Sequence, residues 1–184
     1  MRTFCARVAI VTVVLLAAGV GAAHAATVAP GPYYATPAWD QQLPAATRFI
    51  VLSNWNSEAV LDRETGLVWH KTPFTAFVTW EVAMRTCPPA TIGSRLGWRL
   101  PTVQELGSLF DPAVLANPRL PAGHPFTVER TGFWSATTGQ CGADPCAWIV
   151  SFTFGLIDGA FPQTKGGEFS AWCVRSGSSG PETQ

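Results

Sequence analysis

The ten residues Gly97-Trp98-Arg99-Leu100-Pro101-Thr102-Val103-Gln104-Glu105-Leu106 constrain the fold more than any other stretch of this 184-residue chain. They read as a strand end, a proline stop and a helix start in one run. Thr102 and Glu105 have the spacing of a capping box, in which each side chain satisfies a backbone N–H at the other residue. Val103, Leu106, Leu109 and Phe110 then recur at helical spacing, and Asp111-Pro112 ends the run. A strand therefore turns directly into a short amphipathic helix here.

The start of the chain reads as an export signal over residues 1–25. Arg2 and Arg7 supply the positive region, Val8 to Val20 the apolar region, and Ala23-His24-Ala25 a small-residue cleavage site. The apolar stretch is shorter than the roughly 18–20 residues that span a bilayer, and no second long one follows, so no membrane span is expected in the mature protein. Residues 26–46 are rich in Pro, Ala and Gly and read as an extended leader, and 177–184 as a disordered tail. Residues 47–176 are then one domain. The chain carries 12 basic and 12 acidic residues; without Arg2 and Arg7 the balance is 10 against 12, or −2. That excludes the electrostatic footprint of a nucleic-acid binder.

Cys5 leaves with the signal, so Cys87, Cys141, Cys146 and Cys173 remain. An even count in an exported protein predicts two disulfides, with three connectivities open. No C-x-x-C pair is present, and His70 and His124 are far from the cysteines in sequence, so a metal site is not indicated.

Within the domain, Phe49 to Leu52 predicts a strand, and Val60-Leu61 and Leu67 to Trp69 a hairpin around Gly66, a position where positive φ is needed. A helix should start at Thr79, with Glu81 in its first turn and Cys87 on its buried face, and end at Pro88-Pro89. Pro112 to Thr131 is a long loop, either functional or held by packing. Three strands should follow, Phe133 to Ala136, Ala147 to Phe152 and Ala171 to Arg175. Two helices and then short antiparallel strands make an α+β pattern.

Taken in order, Asp62-x-x-Thr65-Gly66-Leu67-Val68-Trp69, Trp80 to Cys87, the Gly97 to Leu106 run, Phe133-Trp134-Ser135-Ala136-Thr137, Ala147-Trp148 and Trp172-Cys173-Val174-Arg175 resemble the Lcl C-terminal domain family. That family is named for a bacterial collagen-like adhesin and was long a domain of unknown function. The resemblance implies a C-type lectin-like fold: two helices packed on a twisted antiparallel sheet of short strands, termini close together, two disulfides. In that topology a cysteine late in the first helix bridges one in the last strand, which implies Cys87–Cys173 and leaves Cys141–Cys146. The Arg-Leu-Pro-Thr run is also similar to one in the sulfatase-modifying, formylglycine-generating enzymes. Their Arg-Gly-Gly-Ser signature and catalytic cysteine pair are absent, as are the Glu-Pro-Asn and Trp-Asn-Asp motifs of true C-type lectins and any collagen-like repeat.

Trp69, Trp80, Trp98, Trp134, Trp148 and Trp172 are expected in the core, with a sugar-stacking groove as the other reading. Trp55 lies outside the motifs and is less constrained. Arg99 is expected to be largely buried and paired with an acid the sequence does not identify, and Glu105 to serve its cap. His70, Ser135 and Asp62 make no credible hydrolase triad, because no nucleophile elbow surrounds a serine. Calcium binding is possible without being indicated, and no cofactor or catalytic residue is assigned. These readings describe an exported, periplasmic or secreted, non-enzymatic recognition or adhesion-type domain. Its partner is an unidentified glycan or cell-surface protein, recognised on the Pro112–Thr131, Cys141–Cys146 and Gly155–Glu168 loops. A degenerate relative of the sulfatase-modifying enzymes and a structural envelope or pilus-associated subunit are the alternatives.

Overall fold

The computed structural model describes residues 43–153 and 160–177. The signal peptide expected over 1–25 lies outside them, as do Trp39 and most of the leader and tail. Among the described residues the elements are α1 (Ala45–Arg48), β1 (Phe49–Val51), a 3-10 turn (Ser53–Trp55), β2 (Ala59–Asp62), β3 (Leu67–His70), α2 (Trp80–Thr86), α3 (Val103–Gly107), β4 (Gly132–Cys141), β5 (Asp144–Ser151), β6 (Ala160–Thr164) and β7 (Val174–Ser176). No helix among them is long and apolar enough to cross a membrane.

The strands form two antiparallel sheets, ordered β1-β2-β3-β7 and β4-β5-β6, in place of the single sheet expected. The extended segment Ser170 to Val174 stitches them together. Trp134 N–H donates to Ser170 O and Ser170 N–H to Gly132 O on one side. On the other, His70 N–H donates to Cys173 O, and Arg99 and Val174 exchange both backbone bonds at 2.9 Å. Alternation along these strands assigns neighbouring residues to opposite cores. Trp69, Phe133, Val150, Phe152, Trp172 and Val174 face one core, closed by Leu106, Leu109, Leu120 and Phe126. Val68, Trp134, Ile149, Ala171 and Cys173 face the other, closed by Ala83, Cys87, Trp98 and Trp55. The strand layer is covered on both faces, which is why its sequences read as nearly continuous apolar runs.

Several elements differ from the sequence reading. Helix α1 begins at Ala45, inside the expected leader, and Ala45 is buried. Trp55, unconstrained by motif, is 6% exposed and meets Trp98 edge to face at 6.3 Å. Helix α3 ends at Gly107 although its apolar periodicity continues; Leu109 and Phe110 donate to the carbonyls three residues back, so the chain tightens into turns that still bury Leu109. Residues 171–173, expected as strand, are not, and β7 pairs with β3 of the first sheet. The strand beside β5 is β6, hidden in sequence by Pro162, which an edge strand tolerates.

Two devices close the β2–β3 end. Arg48 is buried and pairs Asp62 through two hydrogen bonds of 2.9 and 2.8 Å, Glu64 at 2.9 Å and Ser108 O at 2.8 Å, tying α1, the hairpin and the end of α3 together. The two ends of the described chain also meet at the hairpin turn, where Leu43 N–H donates to the Glu64 carboxylate and Gly177 N–H to Gly66 O. Cys87, at the end of α2, is bonded to Cys173 with Cα atoms 5.5 Å apart, and Cys141 is bonded to Cys146.

Candidate functional site

The strand expected before Pro101 is only an isolated bridge between Arg99 and Val174, but the helix start at Thr102 folds as its sequence dictates. Thr102 Oγ1 accepts from Glu105 N–H and Glu105 Oε2 from Thr102 N–H, completing the capping box. Glu105 is also the acid that Arg99 pairs, through two bonds of 2.8 and 2.6 Å. The Arg99 side chain is 41% exposed, so this pair lies along the surface of the corner rather than in the core as expected. Burial pushes the Glu105 carboxyl up, but hydrogen bonds from Arg99 and Thr102 outweigh it and hold the group below its ordinary range.

Opposite this corner, β4 carries extra residues. The register runs Trp134↔Ile149 and then Thr138↔Ala147, leaving Ser135, Ala136 and Thr137 against Trp148. The displaced groups are all used. Ser135 Oγ donates to Trp148 O, Ala136 N–H to Pro101 O, and Trp80 Nε1–H to Ser135 O. Thr137 Oγ1 accepts from Val103 N–H at 3.0 Å, satisfying a donor of the α3 N-terminus that the capping box leaves open. The bulge thereby docks α3 against the β4–β5 hairpin.

Helix α3, five residues long, packs beside β4 and the middle of β5. A cleft of about 590 Å³ opens there. Val103, Gln104, Gly107 and Ser108 form one wall, and Thr137, Trp148 and Ala160 the rest. Trp148 is half-buried, a departure from the core placement expected of it. Its ring lies over Gly139, where an added Cβ would sit 3.3 Å from the indole Nε1, so glycine there permits the close approach. Among the described residues no aromatic ring or cation stacks on Trp148. The other partly exposed aromatics differ: Lys165 Nζ lies 3.9 Å from the Trp80 ring centroid, and the Arg130 guanidinium covers Phe77 at 4.6 Å in a smaller cleft of about 290 Å³.

Trp80, also expected in the core, is likewise only partly buried; the remaining described tryptophans are core. Trp69, Trp134 and Trp172 are fully buried and Trp98 is 2% exposed. Trp98, Trp134 and Trp172 donate their indole N–H to backbone carbonyls of Arg95, Val78 and His70. The unlikely triad is not assembled: Asp62 is held by Arg48, Ser135 by Trp148 O, and His70 lies three ladder positions from Asp62, about 10 Å by strand rise. Burial lowers the His70 imidazole to about 4 against a smaller opposing pull from Glu58, so it is neutral at ordinary pH. Among the described residues no three His, Cys, Asp or Glu side chains converge as a metal site.

The expected recognition loops are largely built into the scaffold. Leu120 and Phe126 anchor the Pro112–Thr131 loop in the core, and its backbone bonds to Phe152 O and Lys71 O. His124 Nδ1 accepts from Phe126 N–H within it. Between Cys141 and Cys146 only Gly142 and Ala143 lie outside β4 and β5. Of the 155–168 stretch, 155–159 falls outside the described residues and 160–164 is β6. The cleft beside Trp148 escaped the sequence reading. Its one signal was Gly107, a helix-weakening residue inside an otherwise continuous apolar period.

The arrangement defines a disulfide-stapled α+β domain whose polar side chains serve caps, bulges and ion pairs. Residues 58–175 match the sequence model of the Lcl C-terminal domain, and the chain belongs to that family. No curated protein matches the chain significantly. Membership in this family suggests an adhesion-type role.

Proposed function

We propose that this chain is an exported, non-enzymatic recognition domain that binds a glycan or a cell-surface protein through the cleft between α3 and β5. The observation that carries the reading is Trp148, an indole left partly exposed at a cleft on a scaffold that buries Trp69, Trp98, Trp134 and Trp172. Burying large aromatics is strongly favourable, so one left open beside a cleft of ligand size has a reason to be sought in binding. We read the fold as C-type lectin-like. The bridge from the end of α2 to the segment entering β7 and the meeting of both ends of the described residues at one hairpin turn support that reading. Export is supported by the two disulfides, which persist in oxidising compartments.

The test is retention of the secreted protein on arrayed glycans and on intact cells, beside Trp148→Ala. Retention without chemical change of the ligand, weakened at least about tenfold by the substitution, is the expected result. A blank on every surface, or release of a chemically altered ligand, contradicts the proposal. Thiol titration of the folded, oxidised protein adds a second check, since two reactive thiols would point to the chemistry of the sulfatase-modifying enzymes instead.

A further inference from the structure

We infer that the cleft takes an uncharged saccharide, with one sugar ring stacked on the Trp148 indole. This deepens the proposed function and rests on it. All seven lining residues are uncharged. An anionic or cationic ligand would lose hydration there without gaining a counter-charge.

The polar groups offer a mixed set of hydrogen-bonding capacities. Thr137 Oγ1 already accepts from Val103 N–H, which leaves its proton to donate. Ser108 Oγ already donates to Glu105 O, which leaves its lone pairs to accept. Gln104 adds an amide that can do both. Donor, acceptor and aromatic face together match a ring with hydroxyl edges and an apolar C–H face. The cleft, about 590 Å³, falls in the range of small-ligand sites. Gly107 supplies an independent handle: a Cβ there would meet nothing within 4 Å, so a side chain can enter the cleft without disturbing the scaffold.

The experiment is a titration of the secreted, isotope-labelled protein with cellotriose and chitotriose as neutral probes and heparin as the charged one. The indole N–H resonance of Trp148, assigned with Trp148→Phe, is the readout. The expected result is a saturable shift with at least one neutral probe, unchanged between low and high salt. Affinity should weaken at least about tenfold in Gly107→Met, read by the same resonance, and in Trp148→Ala, which lacks the indole and is read by calorimetry. Three results overturn the inference. One is no shift with either neutral probe, as for a cleft filled by the chain's own residues; another is binding that survives both substitutions. The third is Trp148-dependent binding of heparin or of a protein alone, which leaves the recognition reading standing, whereas a blank in this titration and on every array and cell surface removes both.

Discussion

Trp172 and Trp148 belong to the same face of the strand layer, and their surroundings could hardly differ more. Trp172 is fully buried, touches Trp69, Phe126, Phe133 and Phe152, and donates its N–H to His70 O. Trp148 has Gly139 beneath it, a five-residue helix beside it and an open cleft above. Both sit in family motifs, so motif membership does not separate a core tryptophan from a binding one. What separates them is what meets each ring: four aromatic side chains close over Trp172, whereas a cleft borders Trp148.

The closed and open regions can be pulled apart by substitution, and the bridges give the largest expected difference. Cys87–Cys173 spans 86 residues and Cys141–Cys146 spans 5. By loop-closure entropy Cys87→Ala should cost roughly 4–5 kcal/mol and Cys141→Ala about 2, read by denaturant unfolding. Equal losses would mean that the long bridge does not constrain the unfolded chain.

The ion pairs repeat the contrast. Arg48→Ala leaves Asp62, which is fully buried, without its counter-charge and should cost about 3–5 kcal/mol. Arg99→Ala removes a partner that is 41% exposed, and a loss of about 1 kcal/mol or less is expected. A reversed order would show that the Arg99–Glu105 corner, not the hairpin cluster, holds α3 in place.

His70 sharpens the comparison through pH. Its imidazole titrates near 4 folded and near 6.5 unfolded. Between these values the unfolded chain binds the extra proton, so stability falls as pH drops from about 6.5 to about 4. The loss should be on the order of 2–3 kcal/mol and be absent from His70→Gln, whose backbone bonds to Cys173 and Trp172 remain available. A pH profile identical in the two proteins would contradict the burial of His70. The smallest effect belongs to the cap: Thr102→Ala should cost about 1 kcal/mol in thermal unfolding.

Local chemistry was readable in the sequence where one short segment decides its own structure. The Thr102–Glu105 capping box, the β2–β3 turn at Gly66 and the α2 stop at Pro88-Pro89 are of that kind. What the sequence concealed depends on contacts between distant segments. The acid facing Arg99 was assigned only to its cap, although one carboxylate serves both. Strand β6 is masked by Pro162, and the strand expected from Ala171 is instead a seam from Ser170 to Val174 that bonds to segments on both sides. The partial exposure of Trp148 depends on how α3, β4, β5 and the start of β6 meet around the cleft, which no single segment sets.

The most direct test of the central claim compares Trp172→Ala and Trp148→Ala by equilibrium unfolding. The account predicts a loss of about 3–5 kcal/mol for Trp172→Ala, as for a large aromatic removed from a packed core, and about 2 kcal/mol or less for Trp148→Ala. Equal losses would place Trp148 in the core and close the cleft as a binding site.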